Sequence, residues 1–64
     1  MSTHAHTLSL PGLEAVYDRL ATAIDQAGPD KATLFLVKLA LLNAHALGDE
    51  QRFGQHVEDA LRDL

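Results

Sequence analysis

The stretch that decides the fold is residues 34–47, LFLVKLALLNAHAL, in the middle of a 64-residue chain. At about 100° per residue, Lys31, Lys38 and His45 fall on one narrow side of a helix through this stretch, because they recur at spacings of seven. Nearly all the remaining circumference is apolar, and a helix that is apolar on every side is normally buried. The stretch therefore predicts a central helix that needs cover from other elements.

The small size of the chain makes it harder to bury this helix. A domain of 64 residues buries only about 60% of the surface that its unfolded chain exposes, so it is marginally stable alone. The sequence has no cysteine, which excludes disulfides and thiolate metal sites. Oligomerisation or very regular helix packing then has to supply the missing stability. We interpret residues 1–8 as a flexible polar tail and residues 9–64 as a single helical domain.

Three helices with short connections are predicted, at about residues 10–27, 30–47 and 49–63. No segment shows the two-residue alternation of a strand, so the expected fold class is all-α. The first and third helices each carry one apolar stripe, which we expect to face the core. The stripes are Leu13, Tyr17, Leu20 and Ile24 in the first helix, and Phe53, Val57, Ala60, Leu61 and Leu64 in the third.

Capping residues set the predicted ends of these helices. Ser9, Asp30 and Asp49 each stand where an N-cap is needed, and their side-chain oxygens can accept hydrogen bonds from free backbone N–H groups. Gly28 and Gly48 stand where the first and second helices should end, because glycine adopts the left-handed conformation that terminates many helices.

The second helix is predicted to make a homodimer. Two apolar stripes cannot surround it completely, and a contiguous apolar patch on a protein surface usually marks an interface. A two-fold dimer in which the second helix packs on its symmetry mate would cover the patch. The expected protomer is thus a three-helix unit that assembles into a helical-bundle homodimer. The predicted interface residues are Phe35, Leu39, Leu42, Asn43 and Ala46.

Asn43 is the polar member of this predicted interface. A buried amide needs a hydrogen-bond partner. In a dimer Asn43 could pair across the two-fold axis and fix the register, whereas in a monomer it could bond a backbone carbonyl at a helix end. Two alternatives to the homodimer stay open: a three-helix monomer with a partly apolar surface, and an obligate complex with a different protein.

Charge argues against two classes of partner. The chain carries five basic and nine acidic residues, for a net charge of −4, and its cationic residues are scattered. Binding of nucleic acid or of an anionic membrane needs a basic surface, so neither is expected. The longest apolar run is broken by Lys38, Asn43 and His45 and is shorter than the roughly 20 residues of a membrane span. The N-terminus does not resemble a secretory signal, and we expect a cytoplasmic bacterial protein.

The sequence offers no nucleophile–base–acid set and no glycine-rich phosphate loop, so we predict neither an enzyme nor a cofactor. A metal-binding alternative uses His45 and His56 with a nearby carboxylate, as in metal sites inside helical bundles. The Glu-x-x-His spacing of di-iron bundles is missing from the sequence. His4 and His6 fall in the predicted tail, and we interpret them as having no ligand role.

The segments GPDKATLFLVKLALLNAHALGD and DALRDL resemble a family of short, all-helical proteobacterial proteins of unknown function. The matching elements are Tyr17–Leu20, Asp25–Pro29, Phe35–Leu42 and Gly48–Asp49. The resemblance covers residues 9–64, and it carries over no catalytic residue. Members of the family are encoded beside flavin-dependent aromatic-ring hydroxylases and related catabolic enzymes. The resemblance therefore implies an accessory or regulatory subunit of a bacterial system for aromatic-compound catabolism.

Overall fold

The computed structural model describes residues 7–64 and contains three helices there: α1 (Leu10–Ala27), α2 (Ala32–Leu47) and α3 (Glu50–Leu61). Of the described residues, 79% are helical and none lies in a strand. The all-α fold class and the three predicted helices are thereby confirmed. Within residues 7–64, none of these helices combines the length and the apolar character needed to cross a membrane.

The helices fall into two units along the chain. The first unit is Met1–Ala32, which contains α1, and the second is Thr33–Leu64, which contains α3 and all of α2 except its first residue. The tail predicted at residues 1–8 lies outside the described residues except for its last two, which are not helical. The interpretation of His4 and His6 lies outside them altogether.

The ends of α1 follow the predicted capping chemistry. The Ser9 hydroxyl accepts a hydrogen bond from the Gly12 N–H at 3.1 Å, and Pro11 occupies the first turn, where its missing N–H is not needed. At the other end Gly28 has a φ of 81°, and its N–H donates to the Ile24 carbonyl at 3.1 Å. Ser9 and Gly28 are thus confirmed as the residues that bound α1.

The start of α2 differs from the prediction. The helix begins at Ala32, two residues later than predicted, and Asp30 lies in the preceding turn rather than at the N-cap. The Lys31 N–H donates to the Gly28 carbonyl at 3.1 Å, which closes a four-residue turn with Pro29 at its second position. Proline favours this position because its fixed φ matches the turn. The turn therefore takes up the residues that a helix starting at Asp30 would have used.

The short connection between α2 and α3 follows the prediction closely. Gly48 has a φ of 73°, and its N–H donates to the Ala44 carbonyl at 3.0 Å. The Asp49 carboxylate then accepts hydrogen bonds from the Gln51 and Arg52 N–H groups, at 3.0 and 3.1 Å. Asp49 is confirmed as the N-cap of α3, and it satisfies two backbone donors that the helix itself leaves free.

The last turn of the chain is tighter than a helix. α3 ends at Leu61, before the predicted position 63, and the Arg62 N–H donates to the Asp59 carbonyl three residues earlier, at 3.3 Å. The Arg62 guanidinium also lies 3.1 Å from the Asp59 carboxylate, with both side chains largely exposed. An exposed ion pair of this kind contributes at most about 1 kcal/mol to stability, so it stabilises this last turn only weakly.

The cap of α3 gives a first testable prediction. Replacement of Asp49 by Ala removes the oxygen that accepts from Gln51 and Arg52, and we expect the free energy of unfolding to fall by about 1 kcal/mol. The control Asp49→Asn keeps an acceptor oxygen and should lose only the charge–dipole part, about 0.5 kcal/mol. Urea unfolding followed by circular dichroism at one protein concentration measures both changes. Equal losses in the two variants would contradict a capping role.

Two glycines give a second prediction, in which replacement by alanine shifts the midpoint of thermal unfolding in opposite directions. Gly54 lies inside α3, and a Cβ built there would meet no neighbouring side chain within 4 Å. Because glycine costs about 1 kcal/mol inside a helix relative to alanine, we expect Gly54→Ala to raise the midpoint of thermal unfolding. The matched change Gly48→Ala should lower it, since a φ of 73° is costly for any residue with a Cβ. A lower midpoint for Gly54→Ala would reveal a close neighbour at this position.

Candidate interaction surface

Much apolar surface is left uncovered in this protein. Apolar residues make up 47% of the chain, yet no side chain within residues 7–64 is buried. A folded helical protein normally buries most of its large apolar side chains in its interior. The candidate site is therefore a surface, and it is defined by which apolar residues on each helix stay exposed.

α2 exposes apolar side chains on both sides of Lys38. Helical geometry places Leu34 and Leu41 on one side of this lysine and Leu42 on the other, with Val37 next to Leu41. Leu41 is 64% exposed and Leu42 is 68% exposed, and Leu34 and Val37 are exposed as well. We call the surface formed by these five residues the Lys38 face.

The opposite side of α2 borders a groove within the unit Thr33–Leu64. The groove has a volume of about 330 Å³ and is lined by Ala40, Asn43 and Leu47 from α2 and by Phe53 and His56 from α3. Its α2 residues are three and four positions apart and so share one side of that helix. Lys38 precedes Ala40 by two positions, which places it about 200° away around the helix. The Lys38 face is therefore the side of α2 that α3 does not cover.

The five predicted interface residues do not share one exposed face. Leu42, Asn43 and Ala46 are exposed, whereas Phe35 and Leu39 are half-buried. Of the five, only Leu42 belongs to the Lys38 face. The set as a whole stays a prediction, because no partner chain tests it.

The predicted interface left out three exposed apolar residues of the Lys38 face, namely Leu34, Val37 and Leu41. A signal for two of them was present, since Leu34 and Leu41 lie beside the strip of Lys31, Lys38 and His45. Which side of an almost wholly apolar helix stays exposed depends on where its neighbours pack. No periodicity within the helix contains that information.

α1 is covered along only part of its predicted core stripe. Leu20 and Ile24 are half-buried, whereas Leu13 is exposed and Tyr17 is 70% exposed. The expectation that Leu13 and Tyr17 face a core is therefore wrong for this chain. Spacing identifies which residues share a face but does not say how far along the helix that face is covered. Beside the exposed half lies a shallow hollow of about 500 Å³, lined by Leu13, Glu14, Tyr17 and Asp18.

The proposed metal pair, His45 and His56, is not brought together as a ligand set. His56 lines the groove between α2 and α3, whereas His45 lies in the last turn of α2, two positions from both Asn43 and Leu47. It therefore lies on the side of α2 away from the groove. Within residues 7–64, no three His, Cys, Asp or Glu side chains form a group that could hold a metal ion.

The groove between α2 and α3 is lined by apolar side chains, together with one amide and one imidazole that can form hydrogen bonds.

Comparison of the chain with known protein families, with curated proteins and with solved structures finds no match. The resemblance to a proteobacterial family accordingly stays a prediction.

Asn43 supplies the third prediction, because the structure places it on an exposed side of the groove rather than in a core. An exposed amide loses no hydrogen bond to water. We expect Asn43→Ala to leave the free energy of unfolding unchanged or to raise it by about 0.5 kcal/mol through better helix propensity. Phe35→Ala, at a half-buried position of the same helix, serves as the destabilising control. A loss above about 1 kcal/mol for Asn43→Ala would show that its amide is buried in a partner contact.

Proposed function

We propose that this protein is a small, non-catalytic helical interaction protein that self-associates through α2 as a homodimer. The observation that carries the proposal is the Lys38 face, whose apolar residues are exposed on the side of α2 away from α3. α2 has 16 residues, of which only four are polar. An apolar helix of this kind, left open on one side, is typical of a protein that completes its packing with a partner.

A second copy of the chain is the simplest partner for this face. In a two-fold dimer every interface residue occurs twice, so a few apolar residues per protomer are enough to stabilise the association. Full burial of one leucine contributes roughly 1.5–3 kcal/mol, and Leu41 and Leu42 are each about two-thirds exposed in the single chain. Self-association also accounts for the absence of a buried core within residues 7–64, because burial would be completed between chains.

The implied role as an accessory or regulatory subunit of an aromatic-compound catabolic system stays a prediction of the family resemblance. A homodimer would remain able to dock on an enzyme through the groove of α2 and α3. Affinity capture from the native cell, with the dimer as bait, tests this role separately from self-association. Recovery of no enzyme by the intact dimer would count against it.

Leu41 provides the fourth prediction. Wild-type protein should sediment at twice its 6.9 kDa chain mass at micromolar concentration. Leu41→Glu places two charged carboxylates in a symmetric dimer, and we expect association to weaken by at least about 100-fold, since two leucine contacts are lost. Sedimentation equilibrium measures the mass over a range of concentrations.

Leu61→Glu is the matched control for Leu41→Glu. Leu61 is 60% exposed, nearly the same as Leu41 at 64%, but it lies at the end of α3 rather than on the Lys38 face. It should leave the dimer intact. A wild-type chain that sediments at 6.9 kDa would reject self-association, and equal effects of the two variants would reject the Lys38 face as its site.

A further inference from the structure

The exposed half of α1 is a second apolar surface with nothing to cover it within the described residues. Leu10 is 69% exposed, and Leu13 and Tyr17 are exposed with it. These residues are spaced three and four apart and therefore share one face of the helix. We call the surface formed by Leu10, Leu13, Glu14 and Tyr17 the α1 patch.

The α1 patch and the Lys38 face share the same spacing of apolar residues. Leu34, Val37 and Leu41 are again spaced three and four apart, so the first and last of the three apolar residues are seven positions, or about 10.5 Å, apart along each helix. The charged residue stands at the same place in both patterns, four positions after the first leucine. It is Glu14 in the α1 patch and Lys38 in the Lys38 face.

The charged residues around Glu14 and Lys38 likewise have opposite signs on the two surfaces. Asp18 follows Glu14 by four positions on the same side of α1, whereas α2 contains no acidic residue at all and has Lys31 just before it and His45 in its last turn. The charged side chains of Glu14, Asp18, Lys31 and Lys38 are all exposed. The one ion pair found within residues 7–64 joins Arg62 to Asp59. The charges on both surfaces are thus available to a second molecule.

From these features we infer that, in the homodimer proposed above, the α1 patch of each protomer packs on the Lys38 face of the other, with Glu14 opposite the partner's Lys38. The inference rests on the proposed function and specifies its contact. The two-fold axis produces this contact twice, so both surfaces of both chains are covered. The alternative pairings set like charges together: α2 on α2 would bring its basic row against a copy of itself, and α1 on α1 would do the same with carboxylates. Like charges placed together in an interface oppose its formation.

A charge-swap experiment tests the pairing, which is the fifth prediction. Glu14→Lys and Lys38→Glu are made separately in the full chain, and dimer dissociation constants are measured by sedimentation equilibrium at low ionic strength, where screening is weak. Each variant alone puts like charges opposite each other at both contacts, so we expect its dimer to weaken about ten-fold. An equimolar mixture restores Glu–Lys pairing at both contacts. It should form a heterodimer with a dissociation constant within about two-fold of the wild-type value.

Glu58→Lys is the matched control. It changes the net charge of −4 to −2, as Glu14→Lys does, at an exposed position of α3 that belongs to neither surface. Lower net charge reduces the general repulsion between chains, so this variant should dimerise at least as well as wild type. A weakened Glu14→Lys dimer beside an unweakened Glu58→Lys dimer isolates the specific contact. Circular dichroism verifies that each variant keeps its helix content.

The remaining outcomes separate this inference from the proposed function. If Glu14→Lys dimerises as well as wild type, α1 is not in the interface, and the inference is overturned while self-association stands. If both variants weaken and their mixture does not recover, the two charges do not meet between chains, which also overturns it. A wild-type protein that stays monomeric would remove the proposed function, and this inference with it.

Discussion

The main constraint on this structure is that too few apolar side chains pack against α2. This helix has 16 residues and only four polar side chains, and the following helix lies against just one side of it, where the groove forms. Burial of apolar surface is the dominant favourable term in folding, yet no side chain within residues 7–64 is fully buried. The exposed Lys38 face is the part of α2 that α3 leaves uncovered.

Local backbone chemistry, in contrast, is well satisfied. Ser9 and Asp49 each accept hydrogen bonds from N–H groups of the first turn that follows, and Gly28 and Gly48 end their helices with positive φ. Such contacts involve residues within four positions of each other, so they form without tertiary help. The helices are therefore sharply defined, although no side chain within the described part of the chain is buried. A partner can therefore cover the exposed apolar side chains of these helices without changing where the helices begin and end.

Charge adds direction to an otherwise apolar surface. Apolar burial is not directional, so two exposed faces with the same spacing could pair in several ways. In the proposed dimer, the lysines on and just before α2 and the carboxylates beside the exposed half of α1 would disfavour the pairings that bring like charges together. Exposed ion pairs contribute little stability. Their use here would be to select one arrangement among several of similar apolar area.

The fold class, the number of helices and most of the helix ends could be predicted from the amino-acid sequence. These features rest on hydrophobic periodicity and on capping residues, which act over one or two turns. The prediction from sequence misplaced the start of α2, because the turn closed between Lys31 and Gly28 competes with an Asp30 cap over the same few residues. It also expected Leu13 and Tyr17 in a core that the structure does not build around them.

Which apolar surfaces stay exposed could not be predicted from the sequence and follows from the packing of the helices. That Leu41 is exposed while Leu39 is half-buried, and that His56 and Asn43 line one groove, depends on where a second helix lies. The physical reason is that periodicity fixes the angular position of a side chain on its own helix, whereas burial is set by neighbours that the helix does not encode. An almost wholly apolar helix has no broad polar face to mark its outer side, so only its packing against α3 shows which side of α2 stays exposed.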